Sequence, residues 1–449
     1  MLRHRVRALL GDPPPVVPSV GEAAALSPEQ VAGLFQEEPG FVWLDGGSGR
    51  HLLFRRPFAG LEADANGVRV WGPHGEQWFP GSALDVLDAV LTAWEGAPGP
   101  ILVGWVAYEA AAEWEQLPFP PASEVPRMRF AIYDSALIRE SPGRWLVPQS
   151  PLWSSALTRA AARPLSPPQV EGAALTLSPD AAFSASVARI VERIYAGDFF
   201  QTNLCRRLEA RLPAASIWPL YRRMRALGQP ARGAFLQLGN GRAVLSMSPE
   251  TFLETSAGRI RSLPIKGTRP RGRDGAEDAA LLRDLQSSEK DRAELAMVVD
   301  VTRNDLSRVC QPGSVQVEGH AALLTLPTVH HTQTGVTGQL RPGVNAAAIL
   351  RAAFPPASIT GAPKLAAMEA AWREEQMPRG VCMGAIGWLS LDGGMELSVA
   401  IRTAYAHDGR AVYLAGCGIT ADSDPAAELA ESQVKAAAFL QALGLDPPR

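Results

Sequence analysis

Leu263-Pro264-Ile265-Lys266-Gly267-Thr268-Arg269-Pro270-Arg271-Gly272 sets one lysine between a short apolar entry and a turn rich in Gly, Pro and Arg. The chain holds only four lysines, Lys266, Lys290, Lys364 and Lys435, so arginine carries nearly all of its positive charge. Arginine stays charged, whereas a desolvated lysine can lose its proton and attack carbon. Taken alone, Lys266 reads as a solvated turn residue. The stretches on either side give it a different setting.

Upstream, Ala234-Phe235-Leu236-Gln237-Leu238 and Ala243-Val244-Leu245-Ser246 flank Gly239-Asn240-Gly241 as a hairpin, and Glu250 follows next to Pro249. Such a glutamate is either an exposed turn residue or a general acid with a raised pKa. Before the hairpin, Phe183, Val187, Ile190, Val191 and Ile194 form a helical core stripe behind Ser178 and Asp180 as possible caps. Downstream, residues 274 to 309 read as helix, interrupted or capped near Ser287-Ser288, with Asp291 and Glu294 on one face. Glu428 and Glu431 repeat that spacing on the last helix, which runs through Lys435. One such pair is ordinarily solvated surface. Two pairs facing one another suit a hard cation such as Mg²⁺, held through oxygen ligands.

Between the pairs lie His330-His331 and Ser358-Ile359-Thr360-Gly361-Ala362-Pro363-Lys364, where small residues precede a helix start. Free backbone N–H groups there suit a carboxylate or phosphate, or are simply capped. A further hairpin joins Met383 to Ser390 with Leu397 to Thr403 across Asp392-Gly393-Gly394, and places Arg402 in an apolar strand. That arginine needs either a structural aspartate or a ligand carboxylate as partner. Strands here follow strands, which disfavours a doubly wound nucleotide fold.

Residues 1–150 are β-rich, with Phe41-Val42-Trp43-Leu44 and His51-Leu52-Leu53-Phe54 as a hairpin around Asp45-Gly46-Gly47-Ser48-Gly49 and a strand over Leu102 to Glu109, where Gly104 allows close backbone approach. Pro, Ser and Ala without periodicity mark a linker at 151–174, leaving 175–449 as the catalytic domain. With 449 residues and a net charge of −3, a large core is available and no basic run marks a nucleic-acid or membrane partner. Neither a secretory segment nor a transmembrane run is read, so a cytoplasmic location is expected. Cys205, Cys310, Cys382 and Cys417 lack metal-ligand or disulfide spacing and read as small core residues.

Together these stretches resemble the chorismate-utilising enzymes, the family that includes the anthranilate, aminodeoxychorismate, isochorismate and salicylate synthases. The resemblance covers residue 180 onward through Gly197 to Leu204, Ser246 to Glu250, Pro264 to Arg271, Asp291 to Val309, Ser358 to Lys364, Ile401-Arg402-Thr403 and Ala421 to Lys435. It extends more weakly to Trp43-Leu44-Asp45 and to Gly104 to Glu109. It implies an α+β fold of two large, mostly antiparallel stacked sheets with helices outside, the N-terminal region contributing to the same body.

By resemblance, Glu294 and Glu431 are Mg²⁺ ligands supported by Asp291 and Glu428, and Glu250 is the general acid. Arg402 and the backbone at Gly416 and Gly418 hold the enolpyruvyl carboxylate. Thr360 and Gly361 line the pocket, His331 lies near the ring, and Thr268 and Lys435 complete the substrate contacts. Water-adding members carry a lysine where this chain has Gln201, and anthranilate synthases usually carry alanine at Lys266. Pro-Ile-Lys-Gly-Thr resembles the aminodeoxychorismate synthases, which implies Lys266 as a nucleophile on chorismate with ammonia as the second reactant. An anthranilate synthase component, or an inactive regulatory homologue, is the alternative.

Cys382 departs from an aromatic in the relatives and Cys417 from Gly or Ala. Gly46 stands in place of a serine, which disfavours feedback inhibition by tryptophan. No cysteine sits in a Gly-x-Cys-x-Gly elbow, so ammonia is expected from a separate glutamine amidotransferase subunit. No lyase segment is expected after the last helix.

Overall fold

A computed structural model of the chain describes residues 1–449 except 47–48, 96–98, 100, 116, 118–124, 142, 172–173, 327–328 and 447–449. Its strands form two twelve-stranded antiparallel sheets. One runs in the order Ser19–Ala23, Arg144–Pro148, Leu137–Ser141, His51–Phe54, Val42–Asp45, Arg232–Gly239, Arg242–Ser248, Thr403–His407, Arg410–Ile419, Gln201–Arg211 and Leu175–Leu177, with Gly361–Ala362 also paired to Gln201–Arg211. The other runs Ile265–Pro270, Val329–Gln339, Arg259–Leu263, Thr251–Ser256, Met395–Val399, Ala385–Ser390, Ile101–Val106, Met128–Tyr133, Ala59–Asp64, Gly67–Gly72 and Gly75–Phe79, with Gln316–Thr325 also on Val329–Gln339. The fold is the expected α+β arrangement.

Continuous apolar runs arise because both faces of these strands are covered. In Val42–Asp45, Val42 and Leu44 enter the core between the sheets, while Trp43 enters an outer core with Trp145, Trp153, Trp218, Tyr221 and Phe235. Period-two alternation thus feeds two cores from one strand. The Phe41–Phe54 hairpin pairs as expected, Val42 against Phe54 and Asp45 against His51, and Gly47 and Ser48 of its turn lie outside the described residues.

In both sheets the strands before residues 151–174 form one block and those after it another, and the blocks join at Trp43 opposite Phe235 and at Gly104 opposite Gly387. The stretch read as a linker carries the helix Ala156–Ala161 and the fully buried Trp153. A tryptophan that large is drawn inward by its apolar area.

Several local expectations need correction. The strand over Leu102 to Glu109 ends at Val106, and Tyr108–Ala111 is a 3₁₀ turn. Glu109 instead turns inward, where its carboxylate accepts from the backbone N–H of Arg379 and Gly380 at 2.6 and 2.9 Å. Neither Ser178 nor Asp180 caps Asp180–Tyr195; Ser178 bonds to Arg207 and Asp180 to the buried Arg206. Lys266 lies in a strand rather than a turn, because the 265–270 segment pairs with Val329–Gln339. Arg402 falls between the strands Met395–Val399 and Thr403–His407 at φ 52°, so it lies outside the strand expected to contain it. Long-range pairing set these boundaries, and local propensity does not report it.

Beneath the strand ends, Arg379 is fully buried and binds four elements at once. It donates to the Asn203 carbonyl at 2.6 Å and the Ile359 carbonyl at 3.0 Å, pairs with Glu375 at 2.7 Å, and stacks 4.4 Å from the Tyr108 ring. Among the described residues, no helix is long and apolar enough to cross a membrane.

A Cβ on Gly104 would stand 1.7 Å from the Arg129 carbonyl oxygen, and one on Gly387 1.9 Å from that of Glu396. Gly104→Ala should therefore lower the unfolding free energy by roughly 1–3 kcal/mol or more. Gly275→Ala, with nothing near a Cβ, should be close to neutral. Denaturant midpoints of the two variants check this.

Candidate active site

Lys266 enters the site from the edge strand Ile265–Pro270. The register to Val329–Gln339 slips between Lys266 and Thr268, and Gly267 takes up the bulge at φ 69°. Only glycine fits there, since a Cβ would meet Leu285 at 2.7 Å and Asp291 at 3.1 Å. That contact seats the edge strand directly on the helix Glu289–Ser307. The Lys266 side chain is 13% exposed, and its Nζ lies 3.5 Å from Glu294 Oε2.

The opposite wall is the end of Arg410–Ile419. A Cβ on Gly418 would stand 2.4 Å from Gln201 Nε2 and 3.4 Å from both Lys266 Nζ and Glu294 Oε2. Four residues from four elements therefore converge on one point. Gly361 sets the place of Gln201: at φ 155° it pairs with Thr202, and a Cβ on it would stand 2.0 Å from the Gln201 carbonyl oxygen.

Glu250 follows the strand Arg242–Ser248 and is buried, its N–H on Ser248 Oγ at 3.2 Å and its carbonyl on the Val399 N–H at 3.1 Å. Burial pushes its carboxyl up to about 7, with the charges of Lys266 and Arg402 acting against the rise. A carboxylic acid that titrates there can donate a proton near neutral pH. Among the described residues no aspartate pairs with Arg402, so the structural-aspartate alternative falls away. Its half-buried guanidinium, with Tyr413 and Glu250 in electrostatic reach but no ion pair among the described residues, is open to a ligand carboxylate.

His331 is buried and its Nδ1 lies 3.1 Å from the Gly267 carbonyl and 2.9 Å from Thr268 Oγ1. Burial, with Arg402 nearby, pulls it down to about 4, so the ring is neutral. Donation to the Gly267 carbonyl assigns the proton to Nδ1 and leaves Nε2 as an acceptor. Buried atoms of this region that lack a hydrogen-bond partner include His331 Nε2, Gln201 Oε1, Ser358 Oγ and Glu428 Oε2. Buried polar atoms are rarely left so, and together they mark a place where a ligand belongs.

The carboxylates expected to hold a cation divide into two groups. Glu428 and Glu431 stand together on Pro425–Leu443, with Lys290 Nζ 3.4 Å from Glu428 and Lys435 Nζ 2.7 Å from Glu431. Lys290 comes from Glu289–Ser307, so the two acidic helices do face each other. Glu294 lies beside Lys266, and Asp291 turns away to Arg269 at 3.2 Å. Oxygen donors from Glu294, Glu428 and Glu431, one of them unsatisfied, fit a hard divalent cation.

Other expected contacts are engaged elsewhere. Thr360 Oγ1 donates to the Pro356 and Ala357 carbonyls at 3.2 Å, Thr268 orients His331, and Lys435 donates to the Gly416 carbonyl at 2.9 Å. Gly416 permits the close approach of Asn203 and Cys205. Cys382 is buried with its thiol on the Thr403 carbonyl at 3.2 Å. Sequence reasoning missed Lys290, Ser423, whose hydroxyl donates to Glu428 at 2.7 Å, and Arg379. Lysine scarcity was the signal for Lys290, which is half-exposed, and the fourth lysine, Lys364, is largely buried on Asp305 at 2.6 Å toward the other end of that helix.

Residues 39–441 match the family described as chorismate binding enzyme. The chain is 37% identical over 370 residues to the anthranilate synthase component 1 of Streptomyces coelicolor, covering 76% of this chain and 72% of that one. It is 38% identical over 348 residues to the aminodeoxychorismate synthase component 1 of Klebsiella aerogenes, covering 74% of each. The crystal structure of anthranilate synthase component I from Streptococcus pneumoniae superposes with a TM-score of 0.75 at 27% identity, over 87% of this chain and 92% of that one.

Because Glu250 titrates near 7 in the folded chain against an ordinary 4.5, the folded state holds a proton that the unfolded state lacks between those values. The stabilisation is complete below about pH 4.5 and is lost as pH rises through about 7. Glu250→Gln should remove this slope and be the more stable form above pH 7, by on the order of 3 kcal/mol. Urea midpoints of chelator-treated protein across that range check it, and parallel curves for the two proteins would contradict it.

Proposed function

The chain belongs to the chorismate-binding enzymes, and we propose that within them it is component I of an aminodeoxychorismate synthase, turning chorismate and ammonia into 4-amino-4-deoxychorismate. The carrying observation is the lysine: Lys266 Nζ lies largely buried at the point where Gln201, Glu294 and Gly418 converge. Glu250, within electrostatic reach of it, has its pKa near 7.

In this reading the Lys266 ammonium first gives a proton to solvent, and the free Nζ then bonds to C2 of chorismate while the ring double bonds shift and the C4–O bond breaks. Glu250 gives its proton to the departing hydroxyl, which leaves as water. Ammonia then bonds to C4, the C2–Nζ bond breaks, and the freed proton recharges Glu250. Splitting one displacement into two avoids direct attack on a poor leaving group. Gln201 offers no base for water, which disfavours hydration of the ring. Arg402 takes one substrate carboxylate, and His331 Nε2 accepts from a substrate donor. Glu294, Glu428 and Glu431 would hold Mg²⁺, whose charge would fix the other carboxylate, with Asp291 and Arg269 steadying the helix.

The ammonia source in this proposal is a glutamine amidotransferase subunit, in keeping with the "component 1" in the relatives' names. A cytoplasmic setting belongs to the same reading. The similarity to an anthranilate synthase component 1 favours a second one, with amination at C2 and loss of pyruvate.

Chorismate, Mg²⁺ and high ammonium at alkaline pH should yield p-aminobenzoate only after addition of an aminodeoxychorismate lyase. Anthranilate without the lyase would establish the second reading instead. Lys266→Ala should lose the covalent route and drop turnover by about 10²-fold or more while chorismate and Mg²⁺ still bind. Unimpaired turnover in that variant would remove Lys266 as nucleophile.

A further inference from the structure

Along the strand Arg410–Ile419, Gly416 and Gly418 look toward Asn203, Gln201 and Lys266, whereas Cys417 looks the other way, under the helix Pro425–Leu443. Its thiol donates to the Glu428 carbonyl at 3.3 Å. The ligand atoms of Cys417, Glu428 and Glu431 all lie within 4.8 Å of one another. Glu428 is 2% exposed, and its Oε2 is one of the buried atoms without a partner. Glu431 is about half exposed at 48% and opens the cluster to solvent.

We propose that Cys417, Glu428 and Glu431 form a site for a thiophilic divalent cation of the zinc and cadmium class, which competes with Mg²⁺ for the two glutamates. The competition rests on the magnesium reading above; the thiophilic site does not. A thiol beside two carboxylates is poorly matched to Mg²⁺, which takes oxygen donors and leaves the S–H intact. Zinc-like ions bind sulfur at about 2.3 Å and carboxylate oxygen at about 2.0–2.2 Å, so modest side-chain movement closes the set. The metal–sulfur bond forms as the thiol proton passes to solvent, and no oxidation state changes. Lys290 and Lys435, which now neutralise Glu428 and Glu431, are displaced outward. Alanine in place of Cys417 keeps the oxygen donors and removes the soft one.

Cadmium titration of the chelator-treated full chain, followed by thiolate-to-metal charge-transfer absorption in the ultraviolet, tests this. The native protein should show one saturable equivalent. Cys417→Ala, checked for native circular dichroism, should lose the band, weaken Cd²⁺ binding on the order of tenfold or more, and keep its Mg²⁺ dependence. Cys417→Ser, nearly isosteric, should behave alike. A band that survives in both variants belongs to Cys205, Cys310 or Cys382 and overturns the proposal, as does its absence from the native chain. A Cys417-dependent band that Mg²⁺ fails to weaken upholds the thiophilic site and refutes the magnesium assignment.

Discussion

One guanidinium sealed away from water holds the site elements in register. Arg379 takes carbonyls from the strand that carries Gln201 and from the loop that carries Thr360, and the helix between them through Glu375. The Glu109 carboxylate fixes the backbone at Arg379 and Gly380, and so ties in the N-terminal strands. Burying such a charge is costly, and only nearly complete pairing makes it tolerable. Once that condition is met, the position of Gln201 relative to Gly418 and Lys266 follows from backbone geometry alone.

The chemistry within that frame depends on opposite demands placed on neighbours. Glu250 is deep enough that its neutral form is favoured, yet Lys266 and Arg402 keep it from losing acidity altogether. His331 is held neutral by the same burial and by the charge of Arg402, against the pull of its contact with Gly267. The carboxylates on the two helices face the side chains of Lys266, Lys290 and Lys435, so each has a partner before any ligand arrives.

The sequence discloses much of this and is silent on the rest for definite reasons. The hairpins at Gly239-Asn240-Gly241 and Asp392-Gly393-Gly394 are legible because turn chemistry is local. The break at Ser288 is legible too, as its hydroxyl accepts from the Asp291 N–H. Lys266 stands out because lysine is rare in this chain, and the same rarity extends to Lys290, Lys364 and Lys435. The strand at 265–270 is hidden, since its Gly and Pro content mimics a turn and only pairing with Val329–Gln339 reveals it. Asp291 matches Glu294 in spacing but turns to Arg269, a partner that no helical periodicity contains.

The joining of an early block of strands to a late one in both sheets bears on when the protein becomes itself. Val42–Asp45 pairs with Arg232–Gly239, and Ile101–Val106 waits for Ala385–Ser390, nearly three hundred residues further along. Closing loops of that length precedes any reward from the contacts they make, so such topologies assemble slowly. During synthesis the nascent N-terminal half therefore exposes unpaired strand edges until the ribosome has delivered the last hairpins. The substrate pocket is a late product of translation, and the half-made chain is a natural client for chaperones.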